Sequence, residues 1–98
     1  MIAIVWRYAV RPEKQAEFEH AYGAAGTWAQ LFAKGAGYLG TELLHETDGT
    51  YLTIDRWRDR TDFDRFMTAH RADYEALDAI CDGWTVEEAR LGIFDALD

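Results

Sequence analysis

Apolar positions along the chain follow two periods, and the order in which those periods alternate predicts the fold. Residues 2–10, IAIVWRYAV, are β-branched and aromatic and stop at Arg11-Pro12, which predicts a strand. Pro12 suits a first helical turn, and Glu13 adds a carboxylate at its positive end. Phe18, Ala21 and Tyr22 then recur three to four residues apart, the spacing of one helix face. Gly23 and Gly26 interrupt that helix, and a second helical stretch carries Trp28, Leu31 and Phe32 until Gly35 and Gly37 end it. Residues 38–46 and the segment that begins at Thr50 read as two strands joined by the turn Thr47-Asp-Gly-Thr50. Thr61 is the predicted N-cap of one long helix to residue 81. Along it Phe63, Phe66, Met67, His70, Tyr74, Leu77 and Cys81 keep an i, i+3, i+4, i+7 rhythm. In the tail, Thr85-Val-Glu-Glu88 mimics a capping box, while Ala89, Leu91 and Ile93 alternate; alternation decides for a strand over 85–94.

The sum is β-α-β-β-α-β, an α+β ferredoxin-like unit with helices on one face of an antiparallel sheet, in one domain spanning 1–98. Strand one is apolar on both sides: Ile2, Ile4, Trp6, Tyr8 and Val10 point one way, Ala3, Val5 and Ala9 the other. An antiparallel sheet with one wet face alternates apolar and polar instead. Two helices cover one face, so a second copy of the chain is expected against the other, as a homodimer.

Composition sharpens the picture at three points. Four Trp, five Tyr and five Phe in 98 residues are many for so small a core, and point to a pocket, a partner or both. A net charge of −8 argues against nucleic acid or an anionic membrane surface, each of which needs a basic face. The one cysteine, Cys81, excludes an internal disulfide and a Cys-rich zinc cluster. The run Met1–Trp6 is too short for a signal-peptide core and Arg7 breaks it. No apolar stretch approaches the roughly 20 residues of a membrane span. The expectation is a soluble cytoplasmic protein.

Two segments resemble a known family. Tyr51-Leu-Thr-Ile-Asp-Arg-Trp57-Arg-Asp-Arg-Thr-Asp-Phe63-Asp-Arg-Phe66 is a hairpin strand ending in Trp, then an acidic cap and a helix with Phe at matching intervals. Gly37-Tyr-Leu-Gly-Thr-Glu-Leu43 is similar to the Gly-Phe-x-Gly-x-Glu start of that family's second strand. Together with the element order, they resemble the antibiotic-biosynthesis monooxygenases (ABM), whose domains pair into a dimeric α/β barrel. The resemblance implies a small monooxygenase that uses neither metal nor flavin and acts on an aromatic or polyketide-like substrate, letting a deprotonated phenol or anthrone meet oxygen. It leaves room for an isomerase or cyclase on the same barrel, and for a non-catalytic dimer that binds a small hydrophobic ligand. Haem-degrading relatives place Asn, Trp and His where this chain has Trp6, Phe66 and Ala76, which argues against haem degradation. Many small members place a His at the position of Phe66; His70, one turn further on, is the nearest substitute.

Such chemistry asks for a dry aromatic cavity of about 300 Å³ or more, and for one base. Imidazole titrates near neutrality, so His70 is the first candidate; its alternative is a core histidine bonded to a carbonyl or to Asp55. Tyr74, one turn further along the same stripe, is a second catalytic candidate that would share a site with His70; its alternative is a core tyrosine whose OH reaches water. Asp55 is a carboxylate inside a strand, in phase with Tyr51, Thr53 and Trp57. It is expected either to orient a His or act as base, or to pair with Arg7, Arg56 or Arg58. Arg56 and Arg58, on the opposite face with Leu52 and Ile54, are expected at the dimer rim, with binding of an anionic substrate as their other use. Trp6, Tyr8, Trp57, Phe66 and Met67 are the expected substrate-binding residues, with core packing as their other use. Glu17-x-x-His20 has the spacing of a carboxylate-bridged metal bundle but occurs once, so no metal site is expected. His45 reads as exposed and Cys81 as packing.

Overall fold

In a computed structural model, which describes residues 1–97, the elements follow in the order β1 (Ile2–Val10), α1 (Gln15–Tyr22), α2 (Thr27–Phe32), β2 (Tyr38–His45), β3 (Thr50–Trp57), α3 (Arg60–Ala69), α4 (Arg71–Cys81) and β4 (Thr85–Asp95). A single 3₁₀ turn, Pro12–Lys14, leads into α1. All pairings are antiparallel and the strand order is β2-β3-β1-β4, the ferredoxin-like arrangement. The tail is a strand, as its alternation predicts: β4 pairs along β1 from Ile2↔Asp95 to Val10↔Thr85. No helix among the described residues is long and apolar enough to cross a membrane.

Register decides which side chains meet. Ile4 lies opposite Asp55, Trp6 opposite Thr53 and Tyr8 opposite Tyr51, so these share the helix-covered face. There they join Phe18, Tyr22, Trp28, Phe32, Trp57 and Phe66 in one core. Trp57 and Phe18 have no exposed surface at all. On the other face Val5 lies opposite Ile54, Ala3 opposite Phe94 and Leu44 opposite Leu52. Leu44 and Phe94 remain 45% and 52% exposed, and nothing among the described residues covers them.

Two expectations are corrected. Residue 61 is not the N-cap: Asp59 is, its carboxylate accepting the Asp62 N–H at 2.8 Å, so the helix begins at Arg60. The long helix is two helices, broken at His70 (φ −121°, ψ 24°). A straight helix over 61–81 would run about 30 Å in one direction. The break instead brings α4 onto α2, where Tyr74 meets Trp28 edge-on at 4.9 Å.

One glycine is required by geometry. Gly37 has φ +90°, its carbonyl accepts the Arg58 N–H at 2.7 Å, and a Cβ there would overlap the buried Asp62 carboxylate. Gly37→Ala is expected to cost more than about 1 kcal/mol in chemical denaturation. An unchanged midpoint would contradict this account of the turn.

Candidate functional site

The core is not filled solid. Between sheet and helices lies a cavity of about 140 Å³, walled by Trp6, Tyr8, Tyr22, Trp28, Phe32 and Tyr74, with Thr41, Thr53, Asp55, Asp78 and Glu88 as its polar lining. It is about half the volume that a family-type oxygenase leads one to expect, and sits on the helix-covered side of the sheet. Period-two alternation accounts for the sheet contribution: Thr53 and Asp55 are two apart on β3, and Thr41 on β2 lies opposite Asp55. Helical spacing accounts for Tyr74 and Asp78, four apart on α4. Glu88 reaches the same place because β4 sets it opposite Tyr8.

Asp55 is the polar centre of this cavity. The Thr41 hydroxyl donates to Asp55 Oδ1 at 2.6 Å, and Tyr38 OH is 2.6 Å from Thr41 Oγ1. Since Thr41 spends its proton on Asp55, Tyr38 is the donor to Thr41, giving a chain Tyr38→Thr41→Asp55 that fixes one carboxylate oxygen. Burial raises the Asp55 carboxyl from its ordinary 3.8 to about 6, against the lowering effect of the Thr41 bond. The tyrosines respond in the same sense. Burial pushes the Tyr74 phenol up to about 12, with the charges of Asp78, Asp55 and Glu88 adding to it. Tyr8 is driven far above its ordinary value, first by burial, although its hydroxyl lies 3.3 Å from Thr53 Oγ1. The site therefore holds the Asp55 carboxyl, raised by burial to about 6, among phenols that burial keeps protonated.

Four of the residues expected at the site meet in this cavity: Asp55, Tyr74, Trp6 and Tyr8. Trp6 stacks on Tyr8, with ring centres 6.2 Å apart. The structure does not bring His70 there. At the helix break its Nδ1 lies 3.7 Å from Asp73, and its ring packs 5.2 Å from Phe66, in a separate surface groove that Lys34, Arg58 and Arg65 also line. Neither a core carbonyl nor Asp55 binds its side chain. The break at residue 70 ends the stripe on which His70 and Tyr74 would have shared a site.

Trp57, Phe66 and Met67 do not line the cavity. Trp57 is core, 5.3 Å from the rings of both Tyr38 and Phe66, and Met67 packs at the edge of that cluster. Arg58 pairs with the buried Asp62 at 2.7 Å, Arg56 with Glu42 at 2.5 Å and Arg7 with Glu87 at 3.4 Å, so among the described residues no arginine pairs with Asp55. His20 and His45 are exposed, and Cys81 is buried with its thiol pushed up by that burial. Among the described residues no three His, Cys, Asp or Glu side chains gather closely enough to hold a metal ion. Sequence reasoning missed Tyr22, Trp28, Phe32, Thr41, Thr53, Asp78 and Glu88 as lining residues. For Thr41 and Asp78 a signal exists: strand phase with Asp55 and helical phase with Tyr74.

The raised Asp55 carboxyl has a consequence for stability. Its folded value lies above its ordinary one, so folding favours the protonated form and stability falls as pH rises from about 4 to about 6. Asp55→Asn is expected to be more stable than the native chain at pH 7 by about 1–3 kcal/mol, and to lose that advantage near pH 4. Thr41→Val removes the donor and is expected to move the Asp55 carboxyl higher in a carbon-13 NMR titration. A value at or below the ordinary 3.8 in the native chain would contradict both.

The comparisons with known proteins agree with this architecture. The family model for antibiotic biosynthesis monooxygenase matches residues 1–76. SnoaB, a cofactor-independent oxygenase from Streptomyces nogalater, is 27% identical over 99% of this chain and 93% of its own, with a TM-score of 0.70; a mutant form of it superposes at 0.73. Rv0793 from Mycobacterium tuberculosis, 17% identical over 99% of this chain and 95% of its own, superposes at 0.67 and speaks for the fold alone. No curated protein sequence matches significantly. With more than three-quarters of its residues matched by the family model, this chain belongs to the antibiotic biosynthesis monooxygenase family.

Proposed function

We propose that this protein is a cofactor-independent monooxygenase for a small aromatic or polyketide-like substrate, with Asp55 as its base. The observation that carries the reading is a carboxylate raised to about 6, oriented by Thr41, in a cavity walled by Trp and Tyr. Proton transfer is most effective when the base titrates near the working pH, and a lowered barrier of this kind is worth about 10²–10⁴-fold.

In the proposed reaction Asp55 takes a proton from the activated CH₂ of an anthrone-like ring, or from the hydroxyl of its phenolic tautomer, which gives the same anion. The resulting anion gives electrons to dioxygen, a carbon–oxygen bond forms, and loss of water leaves a carbonyl where the CH₂ stood. One oxygen atom stays in the product and the other leaves as water; the substrate's own C–H bonds supply the electrons. Tyr74 and Tyr8, held protonated, stand as hydrogen-bond donors for the developing oxyanion. Trp6 and Trp28 hold the ring and keep water out. His70 has no part in this scheme, because it opens onto the other groove.

The same reading includes a homodimer, with the uncovered sheet face carrying Val5, Leu44, Leu52, Ile54 and Phe94 packed against its copy. An apolar sheet face of this kind is the ordinary inner layer of a two-sheet barrel.

Oxygen uptake with a hydroxylated anthrone tests the catalytic claim. Asp55→Asn is expected to lower turnover by about 10²–10⁴-fold with the fold intact, while His70→Ala costs less than about threefold. The reverse order of these losses would sink the assignment. Sedimentation tests the dimer: a monomer at micromolar concentration contradicts it, and Leu44→Lys is expected to produce one.

A further inference from the structure

The cavity has a sign. Its charged lining is Asp55, Asp78 and Glu88, and neither Lys, Arg nor His contributes to it. The tyrosines register this field: Asp55 and Glu88 raise the Tyr8 phenol, and Asp78, Asp55 and Glu88 raise that of Tyr74. Arg90, which opposes them at Tyr74, lies opposite Trp6 on β4 but is exposed and outside the lining. The walls act in the same direction, because the faces of Trp and Tyr rings are negative and attract cations. The ionised carboxylates only accept hydrogen bonds, so an ammonium finds acceptors here, while the Tyr8 and Tyr74 hydroxyls remain as donors for the substrate oxygen. The charged part of the lining therefore favours a ligand that carries positive charge.

This bears on the chemistry proposed above. When Asp55 takes the proton it becomes neutral, and the anion left on the substrate lies beside the two other carboxylates, Asp78 and Glu88, which oppose it. Oxygenation of a neutral substrate would work against that field. A substrate that carries its own cation offsets it.

Resting on the reading of this cavity as an aromatic-substrate site, we infer that its substrate class is a phenolic or anthrone-like ring bearing a protonated amine. The ring lies against the Trp6, Tyr8 and Trp28 walls, the ammonium points to Asp78 and Glu88, which are exposed at the mouth, and the acidic hydrogen faces Asp55. Ring substituents that are themselves anionic, such as a free carboxylate, are rejected.

Three probes of one shape and different charge test this: tyramine, its neutral alcohol tyrosol, and 4-hydroxyphenylacetate. Each is titrated into the full-length protein, with amide shifts at Thr53, Asp55 and Tyr74 reporting occupancy of the cavity. Tyramine is expected to bind about tenfold or more tightly than the acid, with tyrosol between them, and the gap narrows as salt is added. The double variant Asp78→Asn, Glu88→Gln is expected to shrink the gap to within about threefold, whereas Asp82→Asn, an exposed acid outside the cavity, leaves it intact. Equal binding of all three, or a preference that survives the double variant, overturns the charge inference and leaves the aromatic-substrate reading standing. Failure of all three to shift these amides at millimolar concentration overturns both.

Discussion

A carboxylate on the inward face of a central strand is the constraint on which the rest of this structure turns. Asp55 lies between Ile4 and Thr41 on the helix-covered side, where an unpartnered charge is unfavourable. The fold answers with one hydroxyl donor, Thr41, and with a cavity rather than a filled core, so that the second carboxylate oxygen keeps a polar space to face. That partial answer leaves the carboxyl near 6 instead of well below 4. Tighter pairing with an arginine would have stabilised the fold and removed the base. Arg56 and Arg58 are close in sequence, yet strand alternation turns Arg56 to Glu42 and the strand end gives Arg58 to Asp62. Stability and proton chemistry thus compete at a single side chain.

The aromatic surplus is distributed around the same point. Trp57, Phe66, Phe32 and Tyr38 form a dense cluster at one end of the sheet, with ring centres between 5.3 and 6.0 Å apart. Phe18, Tyr22, Tyr8 and Tyr51 form another under α1. The cavity opens between them, edged by Trp6, Trp28 and Tyr74. Two rigid aromatic clusters with a gap between them hold a cavity open better than a uniform aliphatic core, whose side chains adjust to fill space.

Much of this was legible in the alternation and spacing of residues. The four strands, the Asp48-Gly49 turn and the strand character of the tail follow from period two and from turn chemistry, and the shared phase of Asp55 with Tyr51, Thr53 and Trp57 is the observed one. Tyr74, Trp6 and Tyr8 reach the cavity as their faces imply. The break at His70 was not legible, because no Gly or Pro marks it and the apolar rhythm runs through it unchanged. It comes from α4 docking on α2, a tertiary contact that no local pattern encodes. The same contact brings Trp28 to Tyr74 and leaves His70 outside. Which inward aromatics become wall and which become core likewise depends on where two layers part, so Trp57 and Phe66 could not be told from Trp28 and Tyr22 by phase alone.

The central claim is that the Asp55 carboxylate, held by Thr41 in an aromatic cavity, is the base of an oxygenase. The pH dependence of kcat/KM for oxygen uptake addresses it most directly, since that profile reports the free enzyme's own ionisations. The account predicts a single-proton rise through about pH 6 that moves to higher pH in Thr41→Val and is absent from the residual activity of Asp55→Asn. A profile flat across that range, or a rise that persists without the Asp55 carboxylate, would contradict it.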